Sequence, residues 1–394
     1  MIVLHDYQAE ASRWLAGRRR GVVSLAAGGG KTLVAASALD TVVRARPRER
    51  LVRVGWIANT REQVEQAHKA VAAYPVMLKM VDFRAACAAA DTDWSDRDVI
   101  VVDEAHHAAT APQWQAQIQT CQGARWGLTA TPPDAPEQAA ALEQLLGEIF
   151  FVDRSRVSNI TRAQVRWIRE TDKNIRDSID REIDDAMFKR RRYWHPQERA
   201  ACERVLRDPA ATPHRKREAE ATLAGLEAQL WGQVAWQKCI ELGIVNNRLR
   251  NDAAVATALR HRNNHVLMLV NTVEHGAELA SRIPGALACH SKMGAKKRRA
   301  AMDAFRSGQC RCLIATTLAD EGLDLPMADV LIMVSGGRSK ARTEQRTGRV
   351  LRQFAGKSCG VIYDFTDDYH PLPAKHSRRR EELYRSLGYE ISAR

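Results

Sequence analysis

Four apolar residues, Val99-Ile100-Val101-Val102, run straight into Asp103-Glu104-Ala105-His106. A short unbroken apolar run is the pattern of a strand buried on both faces, and such strands belong to parallel sheets covered by helices. The same grammar fills the first 153 residues. Apolar runs at Gly21–Ala26, Val52–Ala58, Ala124–Thr129 and Ile149–Val152 alternate with helical stretches such as Thr32–Arg44 and Thr60–Ala73. It returns at His265–Val270, Ala286–His290, Cys312–Thr316, Val330–Val334 and Cys359–Phe365. Alternation of this kind implies an α/β protein with two doubly wound parallel-sheet domains.

Between them the pattern changes. Asn174–Trp194, Pro196–Leu206 and Pro213–Leu242 are charged, Ala-rich and Leu-rich, with prolines at 196, 209 and 213 as punctuation. This reads as an inserted helical hairpin or small bundle, preceded by a short strand near Val165–Arg169. The expected organisation is 1–153 for the first domain, 154–262 for a basic helical insertion and linker, and 263–394 for the second domain. The tail Lys375–Arg385 reads as a basic helix ending near Gly388.

The net charge is +13, and residues 154–262 hold 23 Lys or Arg against 15 Asp or Glu. Clustered cations point to a polyanionic partner. Lys189–Arg192 and His214–Arg217 fit either a solvated helix surface or a module that grips a duplex or parts its strands. Trp194, Trp231 and Trp236 fit a helical core or bases to stack on. Lys296–Arg299 fits a helix surface facing a groove or solvent.

The longest apolar runs are strand-length, so no membrane span is expected. Met1–Asp6 lacks the basic start and apolar stretch of a signal peptide, and a cytoplasmic protein, bacterial or phage-encoded, is expected. The eight cysteines, at 87, 121, 202, 239, 289, 310, 312 and 359, have no zinc spacing and read as reduced, mostly buried thiols.

Three motifs carry chemistry. Gly28-Gly29-Gly30-Lys31-Thr32 follows an apolar strand and opens a helix. Glycines let backbone amides turn toward phosphate oxygens, Lys31 reaches the β- and γ-phosphates, and Thr32 binds magnesium. A glycine-rich turn with an incidental Lys-Thr is the plainer alternative, and Leu25 stands where the general pattern has its first glycine. Asp103 is placed to hold magnesium through water and Glu104 to orient or deprotonate the attacking water; the alternative is a solvated acidic strand end. His106 is expected to couple this loop to the second domain. In Gln345-Arg346-Thr347-Gly348-Arg349-Val350-Leu351-Arg352, Arg349 and Arg352 share a helix face and could neutralise a transferring phosphoryl group, or simply form a basic surface.

Taken in order, these residues resemble the superfamily 2 DEAH-type helicases, nearest the XPB-like, RadD-like and phage UvsW-like group. The resemblance covers 1–153 and 265–394. Tyr7-Gln8 is similar to the adenine-reading glutamine motif, Ala27–Thr32 to motif I, and Ala58–Arg61 with Gln66 to motif Ia. Asp103–His106 resembles motif II, Thr129-Ala130-Thr131 motif III, Leu269–Thr272 motif IV, Thr316–Asp324 motif V and Gln345–Arg352 motif VI.

The resemblance implies two RecA-like domains with ATP and Mg2+ in the cleft between them. It implies cofactor contacts from Gln8, Gly28, Gly29, Gly30, Lys31, Thr32, Gly322 and Asp324, catalysis by Lys31, Asp103, Glu104, Gln345, Arg349 and Arg352, and coupling through His106, Thr129 and Thr131. Thr60, Arg61, Thr272, His290 and Thr316 would grip nucleic-acid phosphates, a job for groups that read backbone rather than base. The chain departs from the family in the His5-Asp6 context before the Tyr-Gln pair and in the short Asp82–Asp98 region, which lacks a Thr-Gly motif Ib. The expected activity is ATP-dependent DNA unwinding or branch migration; an RNA helicase and an ATP-gated clamp that does not unwind are the alternatives.

Overall fold

The computed structural model describes all residues except 1–2, 27, 47–51, 60, 73, 75–80, 86–92, 134, 154–156, 158–161, 170–173, 291, 317–324, 338, 353, 355 and 393–394. Of residues 61, 62, 66, 81, 82, 84, 85, 295 and 341 it describes the backbone alone. The first domain runs α1 (Asp6–Ala16), β1 (Arg20–Ser24), α2 (Lys31–Arg44), β2 (Val54–Ala58), α3 (Arg61–Ala72), β3 (Val81–Ala85), β4 (Val99–Asp103), a 3-10 turn Ala105–Ala109, α4 (Pro112–Thr120), β5 (Ala124–Thr129), α5 (Pro136–Leu146) and β6 (Ile149–Phe151). Its strands pair in the order β3-β2-β4-β5-β1-β6, every pair parallel.

Alternation along β4 shows why the sheet is covered on both faces. Val99 and Val101 join one core with Trp56 and Trp126, while Ile100 and Val102 join another with Trp94 and Ile118. Because all pairs are parallel, the carboxyl ends of β1, β5 and β4 lie side by side. The residues after them are brought together by topology alone.

The second domain follows the same rule with β7 (Arg162–Ile168), α6 (Ile175–Arg190), α7 (Pro196–Arg207), α8 (Pro213–Ile240), a π turn Glu241–Val245, α9 (Arg248–Arg260), β8 (Val266–Leu269), α10 (Val273–Arg282), β9 (Leu287–Cys289), α11 (Ala295–Arg306), β10 (Cys312–Ala315), β11 (Val330–Ile332), α12 (Lys340–Val350), β12 (Cys359–Phe365), α13 (Pro371–Ser386) and β13 (Glu390–Ile391). The strand order is β13-β7-β12-β11-β8-β10-β9, again parallel throughout. Cys310 and Cys312 are buried in the cores on its two opposite faces.

Three elements fall differently from the sequence reading. Strand β7 pairs with β12 along its whole length, and α9 puts Ala254, Val255 and Ala258 into the core beneath β8. Both lie within 154–262, so the second sheet begins before the helical stretch and the helices are inserted inside that domain. Strand β3 also appears where the sequence has no unbroken apolar run; its alternating Val81, Phe83 and Ala85 suit the sheet edge, where it pairs with β2.

The inserted helices dock by a small apolar core. Ile175, Ile179, Ile183, Leu230, Val234 and Cys239 pack with Tyr369 from the turn before α13. Side chains of this size contribute about 2 kcal/mol each when withdrawn from water, whereas a surface pair such as Lys238–Glu182 (3.0 Å) contributes about 0.5 kcal/mol. Apolar contact therefore sets the docking. Trp236 lies edge-on to His376 at the module's root and Trp194 borders its core, while Trp231 is 44% exposed. No described helix is long and apolar enough to cross a membrane.

Gly243 in the π turn meets Tyr369 so closely that a Cβ there would sit 2.2 Å from the ring, while one on Gly225 in α8 would meet nothing within 4 Å. We expect Gly243→Ala to cost about 1–3 kcal/mol in urea unfolding and Gly225→Ala to gain up to about 1 kcal/mol. Equal effects would contradict this packing.

Candidate active site

The phosphate loop leaves β1 with Leu25 N donating to Thr129 O (3.0 Å) and Gly29 N to Ala26 O (2.9 Å). Gly28 and Gly30 have φ of +84° and +87°, a left-handed backbone that side chains rarely adopt. Gly30 caps α2, so Lys31 and Thr32 stand on the helix's first turn, where amides and the helix dipole favour anions. Leu25, the departure from the general pattern, has a structural reason. It is buried beneath the loop, and a Cβ on Gly29 would fall 2.7 Å from its Cγ.

Tyr7 and Gln8 hold this loop from below. Tyr7 Oη and Gln8 Nε2 both donate to Gly29 O, at 3.2 and 2.9 Å, while Gln8 Oε1 accepts from His5 N at 3.0 Å. His5 thus takes part in a capping box with Gln8 at the start of α1, which explains the unusual context before the Tyr-Gln pair. Tyr7 was read from the sequence only as part of a motif; its hydroxyl is a loop support.

At the end of β4, Asp103 is 7% exposed and accepts Glu104 N at 3.0 Å. Burial, and then the neighbouring Glu104 carboxylate, push its pKa up to about 7 against the pull of Lys31. Glu104 has φ +50° and ψ +49°, an uncommon backbone for a side-chain-bearing residue and one that stores strain at functional sites. Its Oε2 lies 3.6 Å from His106 Nδ1, and that oxygen is buried without a hydrogen bond among the described residues.

His106 Nδ1 is 3.1 Å from Thr129 Oγ1, which accepts Thr131 N at 3.2 Å. Burial lowers the His106 pKa to about 4, so at neutral pH it is an uncharged hydrogen-bonding link and not a cation. Thr131 Oγ1 is also buried without a hydrogen bond among the described residues. Glu104, His106, Thr129 and Thr131 form one contiguous path from β4 to the end of β5.

The second domain contributes α12, capped by Ser339 Oγ, which accepts Arg342 N. It carries a half-buried Gln345, and Arg349 at 7% exposure; Arg352 follows just past its end. A Cβ on Gly28 would stand 3.3 Å from Arg352 Cγ and 3.8 Å from both Arg352 Nε and Gly348 O. The arginine turn of one domain thus lies against the phosphate loop of the other. Gly28 is required twice, for its φ and for this approach.

Thr272, His290 and Thr316 follow β8, β9 and β10, which are neighbours in the sheet, so they share one edge. Thr272 Oγ1 caps α10 by accepting His275 N (3.1 Å), Thr316 is 8% exposed, and His290 Nδ1 is buried without a hydrogen bond among the described residues. Arg61 opens α3 after β2, with its side chain outside the described part. Thr60, Gly322 and Asp324 lie outside the described residues.

Sequence reading missed a buried charge network in the second domain. Arg380 donates to both oxygens of Asp364 (2.7 and 2.9 Å) and to Asp367 Oδ2 (2.9 Å), and Arg250 donates to Asp367 Oδ1 (2.8 Å). Tyr384, one turn beyond Arg380, donates to Asp364 Oδ2 at 2.7 Å. The Arg380/Tyr384 spacing on the helix face that also carries Ser377 and Leu383, following acids at the end of a mostly apolar strand, was the available signal.

Two facts of this geometry fit a magnesium–nucleotide. A left-handed glycine loop opens on a lysine at a helix start, and two strands away the buried Asp103 lies beside a second carboxylate whose repulsion a cation relieves. The fold is that of a two-domain, nucleotide-driven motor core. Residues 1–86 and 88–134 match the family model of the type III restriction enzyme res subunit, and residues 250–353 match the helicase conserved C-terminal domain. The chain is 22% identical over 400 residues to the DNA 3'-5' translocase XPB2 of Sulfurisphaera tokodaii, spanning 97% of this chain and 85% of that protein.

It is 25% identical over 264 residues to the putative DNA 3'-5' helicase Rad25 of Halobacterium salinarum, covering 66% of this chain and 35% of the relative. A putative helicase of a Sulfolobus islandicus filamentous virus is 23% identical over 73% of this chain and 45% of its own length. The chain therefore spans less than half of these last two proteins. The crystal structure of the Pyrococcus furiosus Hef helicase domain shares the fold, with a TM-score of 0.55, 16% identity and 97% of each chain covered. The chain belongs to the superfamily 2 helicases, in their XPB-like group, and its two parallel-sheet domains are RecA-like.

Because Asp103's folded-state pKa is raised, ionising it costs the folded state stability as pH rises from about 4, its unfolded value, through about 7. Without nucleotide or magnesium, we expect Asp103→Asn to melt above the unaltered protein at pH 8, with a much smaller gap at pH 5. A gap independent of pH would contradict the buried-acid reading.

Proposed function

We propose that the chain is an ATP-driven DNA helicase or translocase that hydrolyses ATP between its two domains. The contact of Arg352 with Gly28 carries this reading, because it brings arginine from one domain to the phosphate loop of the other. The DNA assignment is supported by the relatives named for DNA 3'-5' translocation and unwinding, and 3'-5' movement is the direction we infer.

Lys31 and the amides of Gly28–Gly30 bind the phosphates, and Thr32 and Asp103 are the residues to hold magnesium. Bound magnesium–ATP supplies the transferred phosphoryl group and a cation that offsets its charge. Glu104, held by its strained backbone, orients the attacking water and takes its proton at Oε2. Arg349 and Arg352 neutralise charge that builds up as the phosphoryl group leaves, and Gln345 lines the same turn. Gln8 acts by supporting the loop through Gly29. The path His106–Thr129–Thr131 relates the state of Glu104 to the end of β5.

Gripping a strand requires contacts from both domains that alternate with closure. Thr60 and Arg61 on the first, and Thr272, His290 and Thr316 along one edge of the second, suit phosphate contacts. Domain closure on ATP and opening after hydrolysis would move one set past the other. The basic inserted helices suit the duplex beside that strand.

Lys31→Ala and Glu104→Gln are each expected to lower DNA-stimulated ATP turnover by at least about 100-fold, measured beside RNA at equal salt. Forked, four-way and tailed duplexes tested for strand displacement would show polarity. Unchanged stimulated turnover in either folded variant would overturn the mechanism. Turnover without displacement or branch movement would leave an ATP-gated clamp.

A further inference from the structure

Between β11 and α12 lies the turn Val334-Ser335-Gly336-Gly337, with φ of +58° at Gly336 and +144° at Gly337. Each of its four successive carbonyls is taken by a side chain from a different element. Arg250 Nε from α9 donates to Val334 O (2.9 Å), and Asn271 Nδ2 from the loop after β8 donates to Ser335 O (3.0 Å). Arg346 Nη1 from α12 donates to Gly336 O (3.1 Å), and Arg380 Nη1 from α13 donates to Gly337 O (2.8 Å). Arg346 also reaches Ser335 Oγ at 3.2 Å. Turn carbonyls are ordinarily left to water or to the turn itself; four consecutive side-chain donors over-determine this one.

The donors are themselves fixed. Arg250 and Arg380 share the Asp367 carboxylate, Arg380 grips Asp364 with two nitrogens, and Arg250 lies over the Phe365 ring at 3.9 Å. Arg250, Arg380, Asp364 and Asp367 are each at most 2% exposed. Bidentate pairing in so dry a setting holds a guanidinium in one geometry. The turn decides where α12 begins, and with it where Arg349 and Arg352 point.

Three of the four donors also stand on elements that adjoin the inserted module or belong to the loop after β8. Arg250 lies one turn after the π turn that ends the long helix of the inserted module, a kind of interruption common at functional sites. Arg380 shares α13 with His376, which meets Trp236 of the module. The residue capping α13, His370, lies 3.3 Å from Asp180 of the module. Asn271 immediately precedes Thr272, and Asn251, beside Arg250 on α9, accepts at Oδ1 from His275 Nε2 of α10 at 2.9 Å.

We propose that Arg250, Asn271 and Arg380 are positioning residues for ATP hydrolysis, which hold the turn Val334–Gly337 so that the arginine helix meets the phosphate loop, and which pass the placement of the inserted module and the β8 loop to that helix. The inference rests on the function proposed above. It adds a route by which DNA engaged on the second domain sets the rate of chemistry in the cleft.

Arg250→Lys keeps the charge and loses the fork, so it cannot hold Val334 O and Asp367 together. We expect it to lower kcat for DNA-stimulated ATP hydrolysis by about tenfold or more, with the Kd values for a fluorescent ATP analogue and for DNA within about twofold of the unaltered protein. Val255→Ala, a core substitution on the same helix that leaves all four donors to the turn in place, controls for lost stability and should keep kcat.

A kcat within about twofold of normal in folded Arg250→Lys, or a fall no larger than in Val255→Ala at matched melting temperature, would overturn the proposal. Should Arg250→Lys show no cooperative thermal transition, Asn271→Ala, which removes one hydrogen bond, decides on the same readouts. If the unaltered protein shows no DNA-stimulated turnover, the proposed function fails, and that result is distinct from normal turnover in the variants.

Discussion

A triphosphate carries more charge than one loop of amides and one lysine can offset, and the chain's answer is the approach of Arg352 to Gly28. That contact joins two sheets that otherwise have separate cores. It demands a residue without a side chain at 28, a left-handed turn there, and a firm base under the loop from Leu25, Tyr7 and Gln8. On the facing side it demands that α12 start in the right place. Each support uses hydrogen bonds or packing that would be idle in a protein whose two domains worked apart.

The acid end of β4 is the complementary constraint. Burying Asp103 beside Glu104 raises the cost of ionising Asp103, and Glu104 pays a backbone cost in its left-handed conformation. Features that burden the empty fold make sense where a cation and a phosphoryl group are the intended neighbours. His106, uncharged through burial, then serves as a directional hydrogen-bonding link to Thr129, a role a charged imidazole would perform poorly in so dry a place.

Much of this was legible in the sequence because parallel sheets write themselves plainly. Val99–Val102 is an unbroken apolar run and Cys359–Phe365 one whose only charge is Asp364, and the residues after each must lie at one edge of its sheet. The phosphate loop, acid pair and arginine turn were therefore readable as a set. What stayed hidden has physical reasons. Strand β7 lies far in sequence from β12, its partner, so only pairing reveals that the helical stretch interrupts the second domain. Strand β3, Val81-Asp82-Phe83-Arg84-Ala85, alternates apolar and polar as an edge strand does and so lacks the unbroken apolar run that marks a strand such as β4. Arg250 looks like a surface charge, since nothing local distinguishes an arginine that will be buried against an aspartate more than a hundred residues away, and Arg380 sits among other basic residues that do reach the surface. Gln8 was readable as a nucleotide-motif residue, and only the fold shows its amide engaged with Gly29.

If hydrolysis needs both domains, removing the arginine from the second should spare binding and stop chemistry. The direct measurement is single-turnover ATP hydrolysis by Arg352→Ala with DNA saturating, beside nucleotide affinity measured separately. The cleft mechanism predicts a rate lowered by about 100-fold or more with ATP affinity changed only a few-fold. Hydrolysis within about threefold of the unaltered protein would contradict it.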